Sequence, residues 1–459
     1  MTNWFWRSLP LESHTGSEVF AKLFLNQNPI ATLLESPDPA PQPQLSRYSI
    51  CAGSPRLDNQ GRPQLWTPRV GKILPFLKTL LAKSQQKKEQ NFLPFQGGWL
   101  GWLGYELAWE IEKLPELNND PLPFPVAYWY EPASFAVLDH LQQTLWLAAS
   151  KPQELDKLQR QWETGKKHSE TRPSLIKSSP ISFLTSQTEY QKAVARAKQY
   201  IQTGDIFQTN LSLRFQASTN ANSWAIYQQL QGINPSPFAS YWQTPWGTVI
   251  SCSPERLVQL RGDRAQTRPI AGTRSRGLTP QKDQQLAEEL LTNTKERAEH
   301  IMLVDLERND LGKVCQWGSV EVDELLTIER YSHVMHLVSN VKGTLQSHLD
   351  AVDLLKAIFP GGTITGCPKV RCMEIIEELE PLRRNLFYGS CGYIDYRGNL
   401  DLNILIRTLL VSSSSVWGQV GAGIVADSNP EQEWQESLHK AEAQLAALGS
   451  IEIAKSAKN

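Results

Sequence analysis

Thr292-Asn-Thr-Lys-Glu-Arg-Ala-Glu-His-Ile-Met-Leu-Val-Asp-Leu306 is the stretch that organises the chain. Leu286, Leu290, Ala298, Ile301 and Met302 recur near helical spacing, which predicts an amphipathic helix from about Lys282 onward. Glu296 and Glu299 then stand three residues apart on one helical face. A second acidic pair lies far downstream, in Asp427-Ser-Asn-Pro-Glu-Gln-Glu-Trp-Gln-Glu. There Asp427 or Ser428 is the expected cap, Pro430 suits the first turn, and Glu433 and Glu436 share a face. Glutamates at this spacing more often make a solvated helix surface than a site. Two such pairs together suit a hard divalent cation such as Mg2+, which usually sits between a carboxylate or two and an anionic substrate.

Composition narrows the field. A chain of 459 residues has ample material for a large core or two modest ones. A formal net charge of -1, without a long basic run, gives no sign of nucleic acid or an anionic membrane surface as partner. The N-terminus lacks the pattern of a signal peptide, and no apolar run has the length of a membrane span. The six cysteines follow neither metal-ligand nor disulfide spacing, so a soluble cytoplasmic protein is expected.

Residues 1–150 mix short strand-like runs with Pro-rich connections and form an expected N-terminal region. Gln96-Gly-Gly-Trp-Leu-Gly-Trp-Leu-Gly-Tyr suits close backbone packing in a sheet; it has no βαβ context for a dinucleotide. Residues 151–184 are mostly polar and periodless, which predicts a linker before a catalytic region over 185–450. Thr188–Thr203 reads as a helix closed by Gly204, and Ile206–Phe215 alternates like a half-buried strand. Leu400–Val411 and Val416–Val425 read as further strands. Strands and helices interleave without a regular βα repeat. The fold class expected is α+β, with large, mostly antiparallel sheets forming a sandwich and helices packed outside.

Several side chains suggest chemistry. Arg407, inside an apolar strand pattern, must be paired or bind an anion, either a structural carboxylate or a substrate one. Gly421 and Gly423 let backbone N–H groups approach an anion, and Lys440 stands one turn beyond Glu436, as an ion-pair partner or a second cationic contact. His336, three residues after His333, and Glu255, after Ser-Pro at a strand end, are candidates for proton transfer. Phe359-Pro-Gly-Gly-Thr-Ile-Thr-Gly-Cys-Pro-Lys resembles an anion-binding loop in shape but lacks the Walker A order, which argues against a nucleoside triphosphate. No nucleophile elbow and no Cys/His pairing suggests covalent acyl chemistry.

Residues from about 185 to 447 strongly resemble the chorismate-utilising enzymes: anthranilate and aminodeoxychorismate synthase components I, and the isochorismate and salicylate synthases. The resemblance is carried by Ser253-Pro-Glu-Arg, Arg268-Pro-Ile-Ala-Gly-Thr-Arg, Arg297-Ala-Glu-His-Ile-Met-Leu-Val-Asp-Leu-Glu-Arg-Asn-Asp, Phe359-Pro-Gly-Gly-Thr-Ile-Thr-Gly and Gly421-Ala-Gly-Ile-Val-Ala-Asp-Ser. It implies Mg2+ on Glu296, Glu299, Glu433 and Glu436, gripping the ring carboxylate of chorismate. It also implies substrate contacts from Thr273, Thr363, Arg407, Gly421, Gly423 and Lys440, with Glu255 as general acid/base and His336 near the reacting ring group.

Water-using relatives carry a lysine where this chain has Gln208, so the resemblance favours an ammonia-using enzyme. Asn210, Pro237-Phe-Ala-Ser-Tyr and Gly389-Ser-Cys-Gly-Tyr look more like aminodeoxychorismate synthase, which makes 4-amino-4-deoxychorismate for para-aminobenzoate and folate. Ala271 departs from that pattern: some of those enzymes carry a nucleophilic lysine there, whereas anthranilate synthases carry alanine. Anthranilate synthase is therefore the alternative, and an inactive binding scaffold a more remote one. No glutaminase motif is present, so ammonia is expected from a separate glutaminase subunit. Glu35, Ser36 and Pro237 resemble a tryptophan site, regulatory or structural.

Overall fold

The apolar run Leu400–Val411 is where the molecule departs most from its pattern, because the chain divides it between two sheets. In the computed structural model, which describes residues 4–37, 43–83, 93–164, 176–331 and 334–449, Leu400–Asn403 and Thr408–Ser412 are separate strands. Arg407 between them has φ +51°, a left-handed conformation that no strand interior uses. His333 lies outside the described residues.

The first sheet runs in the order Phe5–Pro10, Thr144–Ala149, Ser134–Asp139, Tyr48–Ala52, Ala31–Glu35, Phe238–Thr244, Gly247–Ser253, Thr408–Ser412, Ser415–Ile424, Gln208–Ser218 and Gly366–Cys367. The second runs Ile270–Ser275, Val334–Thr344, Arg264–Thr267, Arg256–Arg261, Leu400–Asn403, Ser390–Asp395, Gly98–Leu103, Ala127–Tyr130 and Leu65–Trp66. The neighbours in both sheets pair antiparallel, from Phe5 opposite Ala149 to Trp66 opposite Trp129. Strands from before residue 150 and after residue 200 thus share both sheets. Part of the expected linker is also ordered: Pro152–Thr164 is a helix that buries Leu155, Leu158 and Trp162.

One core lies between the sheets, around fully buried Trp102, Tyr128, Trp129 and Trp242. It extends to Val304, Leu311, Leu354 and Leu355 of the helices outside the second sheet. A second core joins the opposite face of the first sheet to Phe20, Tyr190, Tyr227, Trp434 and Leu445 of the other helices. The Gly-rich run does pack closely: a Cβ on Gly101 would strike the Tyr128 carbonyl oxygen of the next strand. Among the described residues, no helix is long and apolar enough to cross a membrane.

The helix expected from Lys282 is two, Pro280–Thr292 and Thr294–Gly312, broken at Asn293, which has ψ 109° and caps the second with its side chain. The cap of Pro430–Ala447 is Asn429, not Asp427 or Ser428; Ser428 is buried and its hydroxyl accepts from the Val425 N–H instead. Strand Gln208–Ser218 alternates as its sequence predicts, but both faces are covered. Leu211, Leu213 and Phe215 enter the helix-side core, while Gln208, Asn210, Ser212 and Arg214 form a buried polar row on the other face.

Candidate active site

That polar row opens into a cleft. Asn210 pairs with Gly423, and Ser212 with Gly421, so both glycines share its face. A Cβ on Gly423 would lie 2.5 Å from Gln208 Nε2, and one on Gly421 would lie 2.8 Å from the Tyr388 hydroxyl. Only glycine leaves this floor bare.

The two capped helices deliver the acidic pairs to the same cleft. Asn293 accepts from the Glu296 N–H at 3.0 Å, fixing Glu296 in the first turn and Glu299 one turn on. Glu296 Oε1 accepts from Arg274 at 2.7 Å, while its buried Oε2 has no hydrogen-bond partner. Glu299 Oε1 accepts from Gln208 Nε2 at 3.0 Å. Glu436 pairs with Lys440 at 2.7 Å, and Lys440 also donates to the Gly421 carbonyl at 3.1 Å. Of the two expected roles of Lys440, the ion pair within its helix is present. Burial raises the pKa of Glu299 above the ordinary carboxylate value, opposed by the Gln208 hydrogen bond, Lys440 and Lys295; the charge of Glu436 raises it further. Burial likewise raises Glu433, with Glu436 adding to it and Ser428 opposing. The two pairs thus feel each other across the cleft.

Among the described residues, no three His, Cys, Asp or Glu side chains form a ready metal-ligand cluster. The donor set still fits Mg2+, which keeps several waters and needs only one or two carboxylates plus substrate oxygens. The partnerless Glu296 Oε2 is the atom in the cleft most in need of a cation.

Glu255 and His336 line the same cleft. Glu255 follows strand Gly247–Ser253 at a turn pinned by the Ser253 hydroxyl, which donates to the Ile404 carbonyl at 2.6 Å. Burial, and secondarily the charge of Glu307, push the Glu255 carboxyl up to about 8 against opposing hydrogen bonds from Thr363 and Ile270. It is therefore protonated at neutral pH. His336 stands on strand Val334–Thr344, with Nδ1 2.9 Å from Thr273 Oγ1. Burial and the nearby Arg407 cation drive it down to about 3, so its ring is neutral. The expectation of a histidine titrating near neutrality gives way to a neutral hydrogen-bonding imidazole.

Arg407 projects into the cleft from the break between its two strands and donates to Asn234 Oδ1 at 3.0 Å. Among the described residues it makes no ion pair, so the structural salt bridge considered above is not what holds it. Thr273, Thr363, Gly421, Gly423 and Lys440 line the same cleft. Sequence reasoning missed Tyr388, Arg274, Lys295 and Asn234, which line it too. Arg274 and Lys295 lie inside quoted runs and Tyr388 adjoins one, and that placement was the available signal.

The tryptophan-like residues separate. Glu35 and Pro237 line a different cavity, between the sheets, with Leu34, Tyr48, Phe238, Arg256 and Asn403. Ser36 does not line it. Strand alternation sends the Glu35 carboxylate to the helix side, where it accepts from the Ser17 N–H at 2.9 Å, Tyr227 at 2.6 Å and Gln231 at 2.8 Å. Glu35 is thus committed to internal partners.

Similarity to known proteins agrees with this geometry. The chorismate binding enzyme family matches residues 57–446. An anthranilate synthase component I-like protein of Synechocystis is 63% identical over 456 residues, 98% of this chain and 92% of the relative. Aminodeoxychorismate synthase component 1 of Bacillus subtilis is 45% identical over 424 residues, 88% of this chain and 89% of the relative. The crystal structure of anthranilate synthase component I from Streptococcus pneumoniae TIGR4 superimposes with a TM-score of 0.75 at 32% identity, covering 87% of this chain and 92% of that one. With the family match spanning most of its length and the cleft assembled from the motifs that carry it, the chain belongs to the chorismate-binding enzymes.

Proposed function

We propose that this enzyme aminates chorismate to 4-amino-4-deoxychorismate, using ammonia from a separate glutaminase subunit, in the cytoplasm. The observation that carries this reading is Gln208. It occupies the place of a water-activating lysine and spends its amide on Glu299. A glutamine cannot deprotonate water, whereas ammonia needs no activation to attack. The 45% identity to an aminodeoxychorismate synthase supports the choice of product.

The chain's own residues then act as follows. Arg407, Lys440 and the backbone at Gly421 and Gly423 bind the carboxylates of the substrate. Bound Mg2+, held by Glu296, Glu299, Glu433 and Glu436, would supply Lewis-acid charge to the ring carboxylate. Protonated Glu255 gives its proton to the departing ring hydroxyl, which leaves as water. The C–N bond forms with the ammonia lone pair, and the surplus proton on nitrogen returns to Glu255. Neutral His336, oriented by Thr273, hydrogen-bonds at the reacting ring. Ala271 supplies no nucleophile, so ammonia adds directly. Tryptophan is retained as a ligand of the inter-sheet cavity, supported by the aromatic and Arg256 lining rather than by Glu35.

Anthranilate synthase is the second reading, favoured by Ala271. Purified chain with chorismate, an ammonium salt and Mg2+ separates the two. The expected result is chorismate loss without direct anthranilate fluorescence, with 4-aminobenzoate appearing only when a lyase is added. Direct fluorescence would give the second reading its place, and Ala271→Lys run alongside reports what that position contributes. Inertness with and without Mg2+ would leave only a scaffold.

A further inference from the structure

Glu307 stands on helix Thr294–Gly312, close enough to Glu255 for its charge to act there. Its residue is only 5% exposed and does not line the cleft. Glu307 Oε2 lacks a hydrogen-bond partner. A Cβ on Gly362 would lie 3.5 Å from Glu307 Oε1, so the short turn Gly362–Ile364, which carries Thr363, packs on this carboxyl. The groups facing it are Asp310 on its own helix, Lys369 on helix Lys369–Leu379 and Glu255. Lys369 is engaged elsewhere: its Nζ is bonded to Asp310 and, at 2.7 Å, to the Ile358 carbonyl. Asp310 also takes Lys313 at 2.8 Å. Both nearby cations are thus centred on Asp310, and Glu307 is a buried carboxyl without a cation of its own. Packing alone would be better served by leucine.

We propose that Glu307 is a positioning residue for proton transfer, its carboxyl acting across the Thr363 turn to keep Glu255 loaded with its proton. This rests on Glu255 being the acid of the proposed reaction. Burial, with Asp310 adding and Lys369, the Thr267 hydroxyl and the Gly362 backbone opposing, pushes Glu307 up to about 7. Near neutrality the inner carboxyl therefore starts to ionise while the outer one holds its proton, and like charge opposes ionisation of the second.

The test is the pH profile of kcat/KM for the wild-type enzyme, Glu307→Gln and Glu307→Leu. Removing the inner charge should move the alkaline limb down by roughly one pH unit. Activity at pH 8.5 would then fall about sixfold further than at pH 6.5, with KM hardly changed. A limb that stays in place beneath a uniformly lower kcat overturns the proposal. Infrared titration of the protonated-carboxyl band in the wild type needs neither turnover nor a folded Glu307 variant. The wild-type minus Glu255→Gln difference titration cancels other buried carboxyls such as Glu106; loss of the Glu255 band accompanied by a shift of the Glu307 step is expected, and a single step with no shift elsewhere overturns the coupling. If Glu255→Gln keeps full activity while the difference titration shows the shifted Glu307 step, the acid assignment fails and the carboxyl pair stands.

Discussion

Glu255 shows what burial does to one side chain. Its carboxyl rises from the ordinary 4.5 to about 8, so the proton-donating form is present below pH 8 and disappears as pH climbs through it. Turnover should follow that limb, and Glu255→Gln should lose roughly 10²- to 10⁴-fold in kcat. Stability moves the opposite way on substitution. The folded chain holds a proton that the unfolded chain has released, so this group's contribution is full below pH 4.5 and lost as pH rises to about 8. Melting curves at pH 6 and pH 9 should therefore show the wild type losing more Tm than Glu255→Gln; equal losses would mean that Glu255 does not titrate in this range. The Ser253-Pro-Glu run placed this residue from sequence. Its neutral state was not legible, because desolvation depends on distant elements, here Ile404 and the Thr363 turn. The same holds for His336, legible as a candidate but not as a permanently neutral ring.

At the scale of elements, helix caps decide where the four glutamates stand. Apolar spacing ran unbroken from Lys282, and only the Asn293 side chain, accepting from the Glu296 N–H, reveals that a new helix begins there. Asn293→Ala should lower stability by about 1 kcal/mol and raise the Mg2+ concentration needed for half-maximal turnover severalfold. Thr279→Ala is the control. It removes the cap of the preceding helix, Pro280–Thr292, and should lose similar stability with an unchanged Mg2+ requirement. Equal Mg2+ responses in the two variants would separate the cap from the site. The misread strand has a similar origin. Leu400–Val411 is rich in apolar residues on both sides of Arg407, and hydrophobicity alone does not register that the two halves belong to different sheets. The charge at Arg407 was the visible clue, since the break is what turns it into the cleft.

Across the whole molecule, the antiparallel α+β sandwich followed from interleaved strand and helix patterns, but the way the segments share it did not. Local periodicity names strands without naming neighbours. Ala31–Glu35 lies between Tyr48–Ala52 and Phe238–Thr244, and Gly98–Leu103 between Ser390–Asp395 and Ala127–Tyr130. The inter-sheet core accordingly mixes Trp102 and Trp129 with Trp242 and Leu402. A catalytic segment expressed alone from residue 176 would expose two strand edges and the apolar faces beside them, a strong drive to aggregate. Residues 1–164 alone would lack the strands that pair with Ala31–Glu35 and Gly98–Leu103. Neither piece should give a cooperative thermal transition. Co-expressed, the two should associate, since their pairing surfaces are strand edges and a shared core, and Mg2+-dependent chorismate consumption should return in the complex. A fragment from residue 176 that melts cooperatively and turns over chorismate unaided would show that the catalytic half carries a complete core of its own.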